Sequence, residues 1–306
     1  MDRGATPAAQ GFRLVPDSAA AARHWLAWPQ RGEPPVVRDT VLALAALLSE
    51  QAPVTILARS AELAEVSLRC PPGVTAMQAA PTGARLKPSA PLFLRRPDDG
   101  QVAALRPASG EAESIIDHLG CPAFDAPAWL RPDWLEADGT GLLLASRSLL
   151  AAGAEDEVAA WLRDLTGTER VVWLDSGQAG PAAPVGAVAR CLAPGVAMAM
   201  VEIDAADPNY LPLRENVMRL QNAGFTVAAV PQPRRRAGDP PAALTACVVT
   251  RRHIVLPAFE QSCDDIALEA VSTLLPDRKV ELEPARELAA AGYELSGLVC
   301  SQPAER

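Results

Sequence analysis

Thiols, imidazoles and carboxylates build most hydrolytic sites, and this chain carries few of the first two. Its three histidines are His24, His118 and His253, so acid/base or metal chemistry that depends on imidazole has few places to start. The six cysteines, at 70, 121, 191, 247, 263 and 300, are scattered and include no Cys-x-x-Cys pair. Such spacing points to reduced, mostly buried thiols and away from disulfides or a zinc site. No metal and no cofactor is expected, since G-x-G-x-x-G and G-x-x-x-x-G-K are both absent and nothing in the sequence would cradle a nucleotide phosphate.

Each of these groups also has a structural reading. His24, inside His24-Trp25-Leu26-Ala27-Trp28, suits a structural or rim role, and Cys300 a buried structural thiol. His118 closes a helical stretch and reads as a capping cation or a solvent contact. His253, in Arg251-Arg252-His253, reads as part of a solvated hairpin turn. Trp25 and Trp28 could line a pocket mouth, although aromatic residues at that spacing more often lie in a core. Asp133 stands two residues past Arg131 and can pair with it rather than with a ligand.

Positioning such groups requires a framework, and 306 residues with 49% hydrophobic content can form one. Helical spacing is clearest over Arg38 to Gln51, where Val41, Leu42, Ala45, Leu47 and Leu48 recur at three- and four-residue intervals. Further helices are predicted at Glu111–Leu119, Glu155–Thr166, Leu213–Ala223 and Cys263–Leu275. Strands are predicted at Val54–Ala58, Gly141–Ala145, Arg170–Leu174, Val196–Ile203, Thr226–Val230, Ala246–Val249, Ile254–Pro257 and Lys279–Leu282. The order is α/β throughout, and its short strands with Pro- or Gly-bearing connections argue against a simple doubly wound sheet. Units of strand, helix and strand recur at a length that could tile a radial, propeller-like fold.

The formal charge of −9 disfavours nucleic acid and anionic membranes as partners, because both reward clustered positive charge. The Arg234-Arg235-Arg236 run does not reverse this; flanked by Pro231, Pro233, Gly238 and Asp239, it reads as a solvated loop. No signal-peptide pattern precedes Gly11 and no window approaches the ~20 apolar residues of a spanning helix, so a cytoplasmic protein is expected.

A series of collinear motifs runs along the chain. It begins with Gly11-Phe12-Arg13 and the Trp25-Leu26-Ala27-Trp28-Pro29 box, followed by Ala137-Asp138-Gly139-Thr140-Gly141-Leu142-Leu143 and Val171-Val172-Trp173-Leu174. Next come Ala189-Arg190 with Pro194-Gly195, then Asp207-Pro208-Asn209-Tyr210 with Glu215-Asn216 and Leu220. Leu256-Pro257-Ala258-Phe259, Asp265, Ala267, Pro276-Asp277-Arg278 and Gln302-Pro303 close the series. In order and spacing these resemble the agmatine deiminase and Porphyromonas-type peptidylarginine deiminase family. The resemblance implies a pentein fold, an α/β-propeller of five strand-helix modules around a pseudo-fivefold axis. It places a single domain at residues 11–303, with a flexible N-terminus at 1–10 and a tail at 304–306. Glu215 and Asn216, on the helix predicted from Leu213, match the pattern but are not its chemistry, and a helix-surface role suits them.

Members of that family convert a guanidinium to a ureido group and release ammonia. The implied machinery is a cysteine thiolate, an acid/base histidine, and carboxylates that pair with guanidinium nitrogens. This chain departs from the pattern at every one of those positions. The nucleophile's His-Cys stretch falls on Ser296 and Gly297, the Gly-His-Val-Asp box places Pro184 and Gly186, the first substrate carboxylate becomes Pro88, and the Glu-Gly-Gly glutamate becomes Arg131. An arginine at that last place is expected to repel a guanidinium.

The resulting expectation is a catalytically inactive deiminase-like protein that acts by binding, as a regulatory or stabilising partner of an active deiminase-like or pathway subunit, or otherwise as a homo-oligomer. Lys87, Arg131, Asp133, Ser296, Trp25 and Trp28 are the candidate pocket residues. Two alternatives stand beside it. One is repurposed chemistry in the same cavity, where Ser296, Arg131 and Lys87 would suit an anionic substrate. The other is the family's own activity, agmatine or arginine deimination, as in putrescine biosynthesis.

Overall fold

The computed structural model describes residues 6–108, 111–177, 183–234 and 242–305. Five small sheets repeat one pattern, in which an antiparallel hairpin is followed by a helix and a parallel strand. In the third module, β8 (Leu135–Ala137) pairs antiparallel with β9 (Leu142–Ser146), and β10 (Arg170–Leu174) returns parallel to β9 after α4 (Glu155–Thr166). The fourth repeats this with β11 (Ala189–Ala193), β12 (Val196–Val201), α5 (Tyr210–Asn222) and β13 (Thr226–Pro231). The fifth has β14 (Val248–Val249), β15 (His253–Ala258), α6 (Ser262–Leu274) and β16 (Lys279–Pro284).

The second module carries an extra edge, because β1 (Arg13–Leu14) joins β5 (Leu92–Arg95), β6 (Val102–Arg106) and β7 (Ala123–Asp125), with α3 (Ala112–Leu119) as its helix. The first module draws on both ends of the chain. Its β17 (Cys300–Pro303) pairs antiparallel with β2 (Ala21–Ala27), which continues parallel through β3 (Val54–Ala58) and β4 (Val74–Gln78). Here α1 (Pro35–Ser49) and α2 (Leu63–Arg69) make the crossovers. The C-terminal strand thus closes the ring by completing the N-terminal module, which is the five-module arrangement expected from the sequence.

Local chemistry explains the boundaries. Helix α4 begins with Glu155, Asp156 and Glu157 at its positive end and stops at Gly167, whose φ of 64° favours glycine. A Cβ at Gly167 would also lie 2.3 Å from the carbonyl oxygen of Phe12. Helix α6 opens with a reciprocal cap between Gln261 and Asp264. The Asp138-Gly139 turn signal is realised: buried Asp138 accepts hydrogen bonds from Thr140 N and Leu142 N, and Gly139 has a φ of 88°.

Several sequence expectations are corrected. Trp25 and Trp28 do not line the central cavity; both are buried on β2 and just past it, in different hydrophobic clusters, which is the core placement that their spacing more often signals. His253 is not in a solvated turn but is buried as the first residue of β15, with Nε2 2.9 Å from Glu281 Oε1 and Nδ1 3.1 Å from Gln51 Nε2. Asn216 is not a surface residue: wholly buried, it grips the backbone N–H and C=O of Asp175, whereas Glu215 pairs with Arg219 on the exposed face. The strand from Val196 ends at Val201 and leaves Ile203 exposed, and the one expected from Ala246 starts at Val248. Of residues 1–10, expected to be a flexible N-terminus, Ala8–Gln10 form a 3-10 turn, and 1–5 lie outside the described residues. Arg235 and Arg236 of the expected solvated loop also lie outside them.

Candidate functional site

The segments that lead into the innermost strands of neighbouring modules converge on one cavity of about 250 Å³. They are 85–88 before β5, 131–136 running into β8, 183–190 running into β11, and 292–297 before β17. Backbone contacts fasten this ring: Lys87 N donates to Gly297 O at 3.0 Å, and Ser296 N to Ala246 O at 3.1 Å. Gly186 faces Ser296 so closely that a Cβ there would be 3.4 Å from Ser296 Oγ.

All six positions singled out by the motif comparison, Pro88, Arg131, Pro184, Gly186, Ser296 and Gly297, line this cavity. Positions separated by more than two hundred residues therefore share one wall, as a common site requires. Lys87 and Asp133 line it as well, so four of the six candidate pocket residues are brought together and the two tryptophans are not.

The wall is dense in charge. Lys87 Nζ reaches Asp17 Oδ2 at 2.5 Å, and Arg190 Nη2 reaches the same oxygen at 2.8 Å. Arg190 Nη1 lies 2.5 Å from Glu136 Oε1, and Glu136 Oε2 accepts from Cys191 N at 3.1 Å. Burial alone would push the Asp17 carboxyl up, but Lys87 and Arg190 outweigh it and hold it down at about 2. Burial pushes the Glu136 carboxyl up against the pull of Arg190. Arg131 makes a two-pronged contact with Asp133, Nε to Oδ1 at 3.0 Å and Nη2 to Oδ2 at 2.6 Å, and its guanidinium lies 5.0 Å over the Trp134 ring.

The pairing of Asp133 with Arg131 agrees with the sequence reading. It also removes the repulsion expected from Arg131, because that charge is already neutralised. Sequence reasoning did not single out Asp17, Glu136 or Glu294 and took Arg190 only as part of a motif. Glu294 was within reach, two residues before Ser296, whereas only the folded chain brings Asp17 to Lys87 and Arg190.

No cysteine or histidine lines the cavity among the described residues, and residues 178–182, which lie outside them, contain neither. The neighbouring thiols are inert. Burial pushes Cys247 and Cys300 up to about 12 and raises Cys191 as well, so all three stay protonated at neutral pH. His24 is buried against Ser301, with 3.0 Å between Nδ1 and Oγ, and burial brings its pKa down to about 4. No group of three or more His, Cys, Asp or Glu side chains among the described residues could hold a metal ion. No helix among them is long and apolar enough to cross a membrane.

Known proteins share this architecture. The sequence pattern of the Porphyromonas-type peptidyl-arginine deiminase family matches residues 13–303. An agmatine deiminase of Pseudomonas savastanoi pv. phaseolicola is 23% identical, with 98% of this chain and 97% of that protein covered. The solved agmatine deiminase of Enterococcus faecalis superposes with a TM-score of 0.87 at 19% identity, covering 99% of both chains. That of C. jejuni superposes with a TM-score of 0.84 at 16% identity, covering 95% of this chain and 96% of the other. At such identities the superpositions show the fold, which is the pentein arrangement, and leave the chemistry to the residues of the cavity.

Proposed function

The chain belongs to the Porphyromonas-type peptidyl-arginine deiminase family, and from that premise we propose that its central cavity binds a small molecule without hydrolysing a guanidinium. One observation carries this reading: the cavity gathers the positions where the family's chemistry would lie, and they hold proline, glycine, serine and arginine. Glycine at 297 offers no nucleophile. Proline at 184 can neither take nor give a proton. Ser296 is a weak nucleophile without a base, and no imidazole reaches the cavity to serve as one. Two of the three wall carboxylates are spent on the chain's own cations, Asp133 on Arg131 and Glu136 on Arg190, which leaves Glu294 alone where the family's chemistry needs a pair.

A second reading, that the protein deiminates agmatine, is favoured by the end-to-end similarity to a protein of that name. It requires hydrolysis without a thiolate, in a cavity whose two former carboxylate positions are Pro88 and Arg131. Purified protein incubated with agmatine, arginine and a peptidyl-arginine separates the two readings. The binding reading expects no ammonia above a heat-inactivated blank. Ammonia release that disappears on substitution within the cavity supports deimination and sinks the binding reading.

The same reading extends to a regulatory or stabilising role beside an active deiminase-like subunit. Ile203, Leu211 and Met218, apolar side chains exposed near and along α5, support it. Native co-purification with a stoichiometric partner checks it, and a chain recovered alone counts against it.

A further inference from the structure

At first sight the cavity is rich in cations, with Arg85, Lys87, Arg131 and Arg190 on its wall. Their partners change that impression. Asp17 serves Lys87 and Arg190, Glu136 serves Arg190, and Asp133 clamps Arg131. Arg85 is exposed, donates to Gly292 O and stacks 4.9 Å over the Tyr293 ring. With Glu294 counted, four cations face four carboxylates, and the ionised site carries no net charge.

Besides Arg190, whose buried Nε lacks a hydrogen-bond partner, two charged groups on the wall retain hydrogen-bonding capacity. Glu294 has no hydrogen-bond or ion-pair partner among the described residues, although it feels Arg85, Asp133 and Arg190; burial, with Asp133 adding, pushes its carboxyl up to about 7. Arg131 engages Asp133 through Nε and Nη2, which leaves Nη1 without an acceptor among the described residues. Ser296 lines the same cavity on the segment that carries Glu294, two residues from it. A half-buried carboxyl without a protein donor has given up part of its hydration, so a ligand that supplies a donor binds at a prepared place.

We propose that the cavity takes a small zwitterionic amino acid, with its ammonium on Glu294 and its carboxylate on Arg131. A ligand with both charges leaves the site neutral, whereas an ion of one sign leaves a buried excess. Agmatine fits less well, because it has no carboxylate for Arg131 and, with Asp133 and Glu136 committed, finds only Glu294 for its two cationic ends. A simple anion fits poorly too, since it meets Glu294 and finds most of the cations engaged. The proposal rests on the cavity being a binding site, as argued above.

Isothermal titration with alanine, β-alanine, γ-aminobutyrate and 5-aminovalerate tests it, with butylamine, butyrate and agmatine as single-ended or guanidinium controls. At least one of the zwitterions is expected to bind tenfold or more tightly than every control. In Glu294→Gln that ligand should lose at least tenfold and fall to the level of butyrate; in Arg131→Met it should fall to the level of butylamine. Arg131→Met strips Asp133 of its partner, so its melting curve is recorded alongside, and Glu294→Gln carries the test if it does not fold. Tighter binding of any control, equal binding by Glu294→Gln, or no heat from any zwitterion overturns the proposal. The ammonia assay fails independently: turnover of agmatine would contradict the binding reading even with a zwitterion bound, and silence in both assays would contradict the amino-acid proposal alone.

Discussion

At the scale of single residues, two carboxyls on or beside the cavity are tuned in opposite directions, and each makes a signed prediction. Asp17 is held at about 2, below its unfolded value, by Lys87 and Arg190 against the opposing effect of burial. Its contribution to stability is present above the unfolded pKa and is lost as pH falls from about 4 toward 2, on the order of 2 kcal/mol in all. Asp17→Asn should therefore flatten the acid limb of the stability curve and destabilise the protein at pH 7, as read by urea denaturation. Glu294 runs the other way. Burial pushes it up to about 7, so the stability linked to its protonated form is full below the unfolded value of 4.5 and is lost as pH rises through about 7. Glu294→Gln should melt higher than the parent at pH 8, by about 2 kcal/mol in stability since the carboxyl keeps some access to cavity water, and nearly with it at pH 4. A variant that melts lower at pH 8 would mean that Glu294 is paired and stabilising.

At the scale of elements, the sequence was most informative where local rules act alone. Helix α4 and strands β3 and β10 occupy the predicted residues, because their apolar spacing, acidic start and glycine stop are all local. Gly167→Ala should cost at least 1–2 kcal/mol, from a disfavoured positive φ and from the close approach to Phe12 O, and should lower the melting temperature by several degrees. Strand β2 was not predicted, and its pairing explains why. β2 takes its partners from the far C-terminus and from β3, which no local window contains. His253 failed for a related reason: Arg251 and Arg252 suggest a turn, yet the next residue begins a strand buried by Gln51 and Glu281 from other elements. Because β17 completes the first sheet, a chain truncated after Val299 should expose Trp25 and β2 and become sensitive to trypsin at low enzyme ratios; unchanged protection would show that the ring does not depend on its closing strand.

At the scale of the whole molecule, the collinear motifs revealed the scaffold and the places where chemistry should lie, and the structure gathers those places around one cavity. The motifs could not reveal how that cavity is balanced. Its charges come from Asp17, Arg85, Lys87, Arg131, Asp133, Glu136, Arg190 and Glu294, and apart from the local pair of Arg131 and Asp133 they meet only when the modules close. A sequence reading therefore counted Arg131 as a repelling charge, whereas in the fold it is half of an ion pair. On the proposed reading, this ring preserves a family's architecture while its cavity binds and does not hydrolyse. Ammonia release from agmatine by the purified protein, followed beside Glu294→Gln and Ser296→Ala variants, tests it most directly. Binding without hydrolysis predicts the same background rate for all three proteins, and turnover by the parent that either substitution abolishes would contradict it.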